Sequence, residues 1–270
     1  MEVIILPTRE QATALTARLI ARALRQKPAL VLGLATGRTM ERLYSLLGSM
    51  HREEGLDFSL CRTFNLDEYI GLSPDSPYSY RYYMNEQLFK RVNIDLRNTH
   101  LPDGMAADLE AACRQYEAQI LECGGIDIQL LGIGSDGHIG FNEPLSALRS
   151  RTRQKALTPD TIRQNASLCG GEQNVPRRAL TMGVGTILDA KRLLMLVTGS
   201  TKAHILAKAV EGPITSMVTA SSLQLHPSCR IIVDAEAAEL LQGKDYYDWI
   251  FRNEPEWADY QMLAGSQTAL

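Results

Sequence analysis

Ala29-Leu-Val-Leu-Gly-Leu34 carries no polar side chain at six consecutive positions. A strand with one solvated face alternates apolar and polar residues. A run that is apolar on both faces belongs in the middle of a parallel sheet, with helices covering each side. Outward from this run, short apolar stretches alternate with longer segments of 3.6-residue periodicity. Residues 3–6 read as a strand and 10–24 as a helix, with Thr8 placed to cap it. A helix over 39–53, a strand over 61–66 and a helix over 78–92 follow. Another helix, over 107–122, precedes the clearest single strand, Ile126-Asp-Ile-Gln-Leu-Leu-Gly-Ile133. Strands over 192–197 and 230–233 complete the set, with a helix over 202–210 between them. This repetition predicts an α/β fold, an open, mostly parallel, Rossmann-like sheet with helices on both faces.

The segment 145–186 breaks the rhythm. It carries Arg149, Arg151, Arg153 and the Gly170-Gly171 pair, and no run in it resembles a central strand. We read it as a lid-like excursion from a single domain spanning 1–270, because no internal repeat or low-complexity linker marks a boundary. At 270 residues, 45% hydrophobic and 22% charged, the chain can bury a large core, which excludes disordered and fibrous classes. A net charge of −3 gives no electrostatic reason to expect nucleic acid or an anionic membrane as partner, so a small polar ligand is expected. The opening residues lack the basic start and apolar run of a secretion signal, and no stretch approaches a membrane span, which predicts a cytoplasmic location. Cys61, Cys113, Cys123, Cys169 and Cys229 are odd in number and share no CxxC spacing. We expect them reduced, with neither a disulfide frame nor a zinc site.

Ligands of open parallel sheets bind at the carboxyl ends of the strands, so the residues that follow each expected strand are the place to look for chemistry. Gly33-Leu-Ala-Thr-Gly-Arg-Thr39 sets glycines and hydroxyls at a helix start, where free N–H groups attract an anion. It lacks the ending of a P-loop, and a plain tight turn is the other reading. Phe64-Asn-Leu-Asp-Glu-Tyr69 puts two carboxylates after an apolar strand. Their mutual repulsion raises one pKa and suits proton transfer, unless they simply open a helix. Gly132-Ile-Gly-Ser-Asp-Gly-His-Ile-Gly-Phe-Asn-Glu-Pro144 matches a dinucleotide fingerprint in form only. Pro144 interrupts the helix that fingerprint needs, and no acidic residue follows at the required distance. What remains is His138 between Asp136 and Glu143, with Asn142 beside them, an arrangement for acid–base work and a poor transition-metal set. Val197-Thr-Gly-Ser-Thr-Lys202 offers a cation at another helix start for a phosphate, or else a solvated lysine. His51, His100, His204 and His226 fall outside these turns and read as structural or surface residues.

Four stretches, in order, resemble the motifs of the glucosamine-6-phosphate deaminase family. They are Phe64-Asn-Leu-Asp-Glu-Tyr-Ile-Gly-Leu72, the 132–144 stretch, Leu180-Thr-Met-Gly-Val-Gly-Thr186 and Leu223-Gln-Leu-His-Pro227, and the likeness covers residues 3–234. The Asp-Gly-His part is shared with 6-phosphogluconolactonases of similar fold. Phe141-Asn-Glu-Pro144 together with Phe64-Asn-Leu-Asp-Glu68 favours the deaminases. The resemblance implies conversion of glucosamine 6-phosphate and water to fructose 6-phosphate and ammonia, with neither metal nor organic cofactor. It implies Asp67 as the base that moves a proton from C2 to C1, and His138 as the group that opens the sugar ring, tuned by Asp136 and Glu143. Thr36, Gly37, Thr39 and Lys202 would anchor the phosphate.

Two departures from the family pattern stand out. The family's lid segment reads Asn-Ala-Arg where this chain has Asn165-Ala166-Ser167, so one phosphate cation is missing. Arg38 occupies a place where the family has a small residue, and Met40 one where proline is common. We expect Arg38 to supply the lost charge from the opposite wall. Some members are hexamers activated by N-acetylglucosamine 6-phosphate at an intersubunit site, and Ser146, Arg153 and Lys155 match positions of that site. The resemblance thus implies a homo-oligomer, a hexamer in the regulated case, with a solvated basic stretch as the other reading of those residues. The alternatives are a deaminase of another amino sugar phosphate, a sugar-lactone hydrolase, and an effector-binding module, although no basic recognition helix is evident at either end. Trp249, Phe251 and Trp257 in the last stretch are candidates to dock on the core or on a neighbour.

Overall fold

The elements of the chain were traced in a computed structural model that describes residues 1–261. In chain order they are β1 (Glu2–Leu6), α1 (Arg9–Gln26), β2 (Val31–Leu34), α2 (Arg38–Glu54), β3 (Arg62–Asn65), β4 (Asp67–Tyr69), α3 (Tyr80–Gln87), β5 (Thr99–His100) and α4 (Leu109–Glu122). Then come β6 (Ile128–Leu131), β7 (Arg153–Ala156), α5 (Pro159–Asn165), β8 (Arg178–Thr181), α6 (Val184–Leu188), β9 (Leu193–Val197), α7 (Ala203–Val210), β10 (Cys229–Asp234) and α8 (Lys244–Asn253).

The parallel seven-stranded sheet has the order β1-β10-β9-β6-β2-β3-β5. From β2 the chain works outward through β3 to the β5 edge, and from β6 through β9 to β10, which pairs with the edge strand β1. Neighbours β2 and β6 therefore flank the topological switch point, where the connections diverge and a crevice opens. All residues of β2, β6 and β9 are buried, as expected of central parallel strands, with Gln129 of β6 the one polar side chain among them. Deleting one of the apolar side chains, as in Leu32→Ala, would cost about 3 kcal/mol. Gly33 interrupts the apolar run for a steric reason. A Cβ there would lie 2.1 Å from Oε1 of the buried Gln129 on the adjacent strand. Helix α1 begins as expected, with Thr8 accepting from Gln11 N and the Gln11 side chain returning to Thr8 N.

Three features depart from the reading of the sequence. Residues 78–92 are not one helix: α3 stops at Gln87, and a short 3₁₀ turn, Phe89–Arg91, replaces its last turn. Asp67 and Glu68 open no helix; they form β4, which pairs antiparallel with β8. The excursion contains two strands, β7 and β8, which join β4 in a second, three-stranded sheet of order β4-β8-β7. Arg-Gln-Lys-Ala of β7 has a half-exposed alternation and no apolar signal, so only its pairing with β8 defines it. Near the C-terminus, Phe251 and Trp257 pack into the main core while Trp249 is exposed. The remainder of that stretch, 262–270, lies outside the described residues. Among the described residues all five cysteines are unpaired, and no helix is long and apolar enough to cross a membrane.

Candidate active site

The turns after β2, β3, β6 and β9 meet at one end of the sheet around a cleft of about 630 Å³. Its inner end carries the predicted acid–base groups and its mouth the predicted anion cradle.

Asp67 heads β4, one residue beyond β3, and its side chain is buried at the cleft wall. It makes no hydrogen bond to a described residue. Burial, followed by the charge of Glu68, pushes its pKa up to about 8, against a smaller opposing pull from His138. The strand explains why adjacent carboxylates differ, since successive side chains point to opposite faces. Glu68 faces away and accepts hydrogen bonds from Tyr69 N (2.8 Å), Tyr80 N (3.0 Å) and Arg81 N (2.8 Å), holding the start of α3. Burial still raises its pKa. Gly140 gives Asp67 its room: a Cβ there would sit 3.0 Å from Thr181 Oγ1 and 3.5 Å from Asp67 Oδ2.

The glycine-rich turn after β6 presents His138. Its Nδ1 lies 2.6 Å from Asp136 Oδ1 and 3.6 Å from Glu143 Oε2, as a charge contact and not a well-aligned hydrogen bond. Burial alone would lower the imidazole pKa, but Asp136 and then Glu143 outweigh it and carry it to about 9. Asp136 responds in kind: desolvation opposes ionisation, yet the His138 contacts bring its pKa down to about 2. Only glycine fits at position 134, where a Cβ would meet the His138 ring at 2.3 Å. Asn142 fastens the turn, donating to Ile139 O and Met182 O at 2.8 Å each. Glu143 Oε1 accepts from Thr161 Oγ1 (2.7 Å) and Thr158 N (3.2 Å), which ties the turn to α5. The donor atoms of Asp136, His138 and Glu143 lie within 4.8 Å of one another, and among the described residues this trio alone could converge on a cation. The imidazole and Asp136 are engaged with each other, however, as an ion pair is, not spread around a common centre.

At the mouth, Thr36, Gly37, Arg38 and Thr39 line the cleft where α2 begins, and Lys202 faces them from the turn after β9. Gly37 has φ 118°, a conformation other residues avoid, which lets the chain enter the helix abruptly. Asp234 of β10 steadies the Lys202 loop by accepting from Gly199 N at 2.9 and 3.0 Å. Lys202 is half-buried, and desolvation lowers its pKa. Arg38 Nη2 donates to Ser167 Oγ across the mouth.

Ser146, Arg153 and Lys155 do not line this cleft. Ser146 is buried with its hydroxyl unpartnered, while Arg153 donates to Asn142 Oδ1 at 2.9 Å and shares a face of β7 with Lys155. His51, His100 and His226 have structural partners: Leu56 O, the Phe64 ring and Ala190 O. Sequence reasoning missed Thr161, Asn165, Tyr80 and Arg9, all of which line the cleft. Thr158-Pro-Asp is a recognisable helix start and was the available signal for α5.

Comparison with known proteins agrees with this geometry. Residues 8–231 match the family model described as glucosamine-6-phosphate isomerases/6-phosphogluconolactonase. A glucosamine-6-phosphate deaminase of Arthrobacter sp. is 48% identical over 257 residues, covering 95% of this chain and 99% of that one. A solved structure of a monomeric glucosamine-6-phosphate deaminase superposes with a TM-score of 0.87 at 44% identity, over 89% of this chain and 100% of the other. The 6-phosphogluconolactonase from Trypanosoma cruzi shares the fold, at 21% identity and a TM-score of 0.71 over 89% of this chain and 97% of its own. A match over most of the length means that the chain belongs to the family of glucosamine-6-phosphate isomerases and 6-phosphogluconolactonases.

Proposed function

We propose that the protein is a deaminating isomerase that converts glucosamine 6-phosphate and water to fructose 6-phosphate and ammonia. The observation that carries this reading is Asp67, a buried carboxyl without a hydrogen bond to any described residue, sharing one cleft with His138. Protonated His138, held by Asp136 and Glu143, donates to the ring oxygen as the C1 hydroxyl loses its proton, leaving an open-chain aldehyde. Ionised Asp67 takes the C2 proton and returns it to C1, so the electron pair of the C2–H bond passes through an enol-amine to give a C2 iminium. Water adds at C2 and ammonia leaves. Thr36, Gly37, Arg38, Thr39 and Lys202 hold the phosphate by helix-start amides, hydroxyls and charge, and the 145–186 excursion acts as a lid over the same domain.

A lactone hydrolase of this fold needs no carbon-bound proton to move, which leaves Asp67 without a task. Turnover in D₂O separates the two: deuterium at C1 of fructose 6-phosphate with release of ammonia supports the isomerase. Lactone hydrolysis without ammonia would replace it. A panel of hexosamine phosphates tests the substrate, since another amino sugar phosphate giving a higher kcat/KM would displace glucosamine 6-phosphate. The proposal includes a cytoplasmic location, to be checked by fractionation. It also includes a homo-oligomer, hexameric when Ser146, Arg153 and Lys155 take N-acetylglucosamine 6-phosphate. Sedimentation as a 29.9 kDa species with or without that ligand would remove the oligomer.

A further inference from the structure

We propose that Arg38 and Arg9 form a two-arginine clamp on the substrate's phosphate, and that Arg38 is also the latch that holds the lid through Ser167. This rests on the sugar-phosphate reading above. The lid's contribution to the cleft lining is Thr161, Gln164 and Asn165, none of them charged. Its own Arg163 is turned to Asp160. The charge that meets a phosphate under the lid must therefore come from the opposite wall.

Arg9 and Arg38 stand at the first positions of α1 and α2, where the helix dipoles disfavour cations. Among the described residues neither has an ion-pair partner, nor does Lys202. The neighbouring carboxylate, Glu10, is already taken by Arg42 at 2.9 Å. Arg9 lies against the loop that carries Lys202: its Nη2 is 3.1 Å from where a Cβ of Gly199 would stand. Three cations with no carboxylate at ion-pair distance among the described residues thus line one cleft beside two helix starts, an arrangement that a dianion completes.

Three further polar contacts of the lid lie around the cleft. Thr161 reaches Glu143, Asn165 Nδ2 donates to Tyr69 Oη at 3.0 Å, and Ser135 Oγ donates to Gln164 Oε1 at 3.1 Å. The bond from Arg38 to Ser167 ties the lid to α2 as well. A guanidinium has five donors, so Arg38 can keep Ser167 and still offer a fork to phosphate. Phosphate capture and lid closure then share one side chain.

The test measures ammonia release from glucosamine 6-phosphate, with inorganic phosphate as competitor, for the wild type and variants of the full chain. Arg38→Ala should raise both KM and the phosphate inhibition constant roughly 30-fold, and Arg9→Gln about fivefold, as loss of charge-assisted hydrogen bonds requires. The double exchange Arg38→Ser with Ser167→Arg should return KM to within about fivefold of wild type, because the contact places a new guanidinium at the same spot. Ser167→Ala should speed amide hydrogen exchange across Pro159–Asn165. An unchanged KM and inhibition constant in Arg38→Ala overturn the clamp. Unrecovered KM in the exchange variant, or unchanged lid exchange in Ser167→Ala, overturns the latch. If the wild type releases no ammonia, the deaminase reading fails instead, and calorimetric phosphate binding by wild type against Arg38→Ala still decides the clamp.

Discussion

At the inner end of the cleft Asp67 and Glu143 are 6% and 3% exposed and His138 sits wedged against Gly134, whereas at the mouth Arg9 and Arg38 reach into solvent from helix starts. The inner end spends stability on chemistry. Its Asp67 carboxyl is held with a raised pKa that unfolding would relax, while the His138–Asp136 pair returns part of that cost. The mouth is inexpensive to build, since backbone amides and exposed cations lose little solvation. Substitutions at the inner end should therefore trade folding stability against turnover, and those at the mouth should change affinity alone.

The sharpest break would come from Asp67→Asn, for which we expect kcat to fall about 10³-fold with little change in KM. The same change should stabilise the fold. A carboxyl raised to about 8 in the folded state keeps its proton where the unfolded chain has lost it, so stability declines as pH rises from about 3.8 to about 8. Replacing the titrating carboxyl should recover on the order of 2–4 kcal/mol at pH 7, read by urea titration. A destabilised variant would mean that Asp67 is a structural residue. At the mouth, Lys202→Met should raise KM roughly 30-fold with kcat and unfolding midpoint nearly unchanged. A fall in kcat of the same size would erase the contrast between the two ends.

The pH profile sharpens the comparison within the inner end. The proposed mechanism needs ionised Asp67 and protonated His138 in the free enzyme, so kcat/KM should climb through about 8 and fall beyond about 9, a narrow alkaline bell. Asp136→Asn removes the anion that retains the imidazole's proton. The falling limb should then move to lower pH, with kcat/KM at the optimum down about tenfold. In stability terms His138 contributes fully below its ordinary 6.5, and that contribution fades as pH rises through about 9. Asp136 contributes above 3.8 and ceases to as pH falls through about 2.

Legibility in the sequence divides along a similar line. Strands β2 and β9 are apolar on both faces, and β6 is so apart from Gln129, so their burial needs no partner information. β4 and β7 have no such signature, because each is defined by pairing with β8, which is distant in sequence. Asp136, His138 and Glu143 sit within eight residues on one turn, so their meeting could be read locally. That Asp67 faces the cleft and Glu68 turns away depends on the strand, so the local pattern could not separate the two and only the family resemblance pointed to Asp67. Arg38 and Ser167 are 129 positions apart. The family resemblance marked both as departures, but only folding sets them in contact. Glu117, which accepts from Thr152, Thr186 and Arg151 and ties α4 to the base of β7, left no signal at all.

The smallest expected effect concerns the seam between excursion and turn. Thr161→Val keeps the side-chain volume and deletes one donor, the hydroxyl 2.7 Å from Glu143 Oε1. That oxygen keeps Thr158 N at 3.2 Å, and Oε2 still faces His138. A buried carboxylate short of one partner costs about 1 kcal/mol of stability, and we expect the unfolding midpoint to fall accordingly. With less of its charge shared with the lid, Glu143 attracts the imidazolium more strongly. The alkaline limb of kcat/KM should therefore shift slightly to higher pH, with less than about a threefold change at the optimum. An alkaline limb that stayed in place while stability fell would mean that Glu143 serves to seat the excursion and that Asp136 alone governs the imidazole. The inner end would then contain a structural carboxylate as well as its reactive ones.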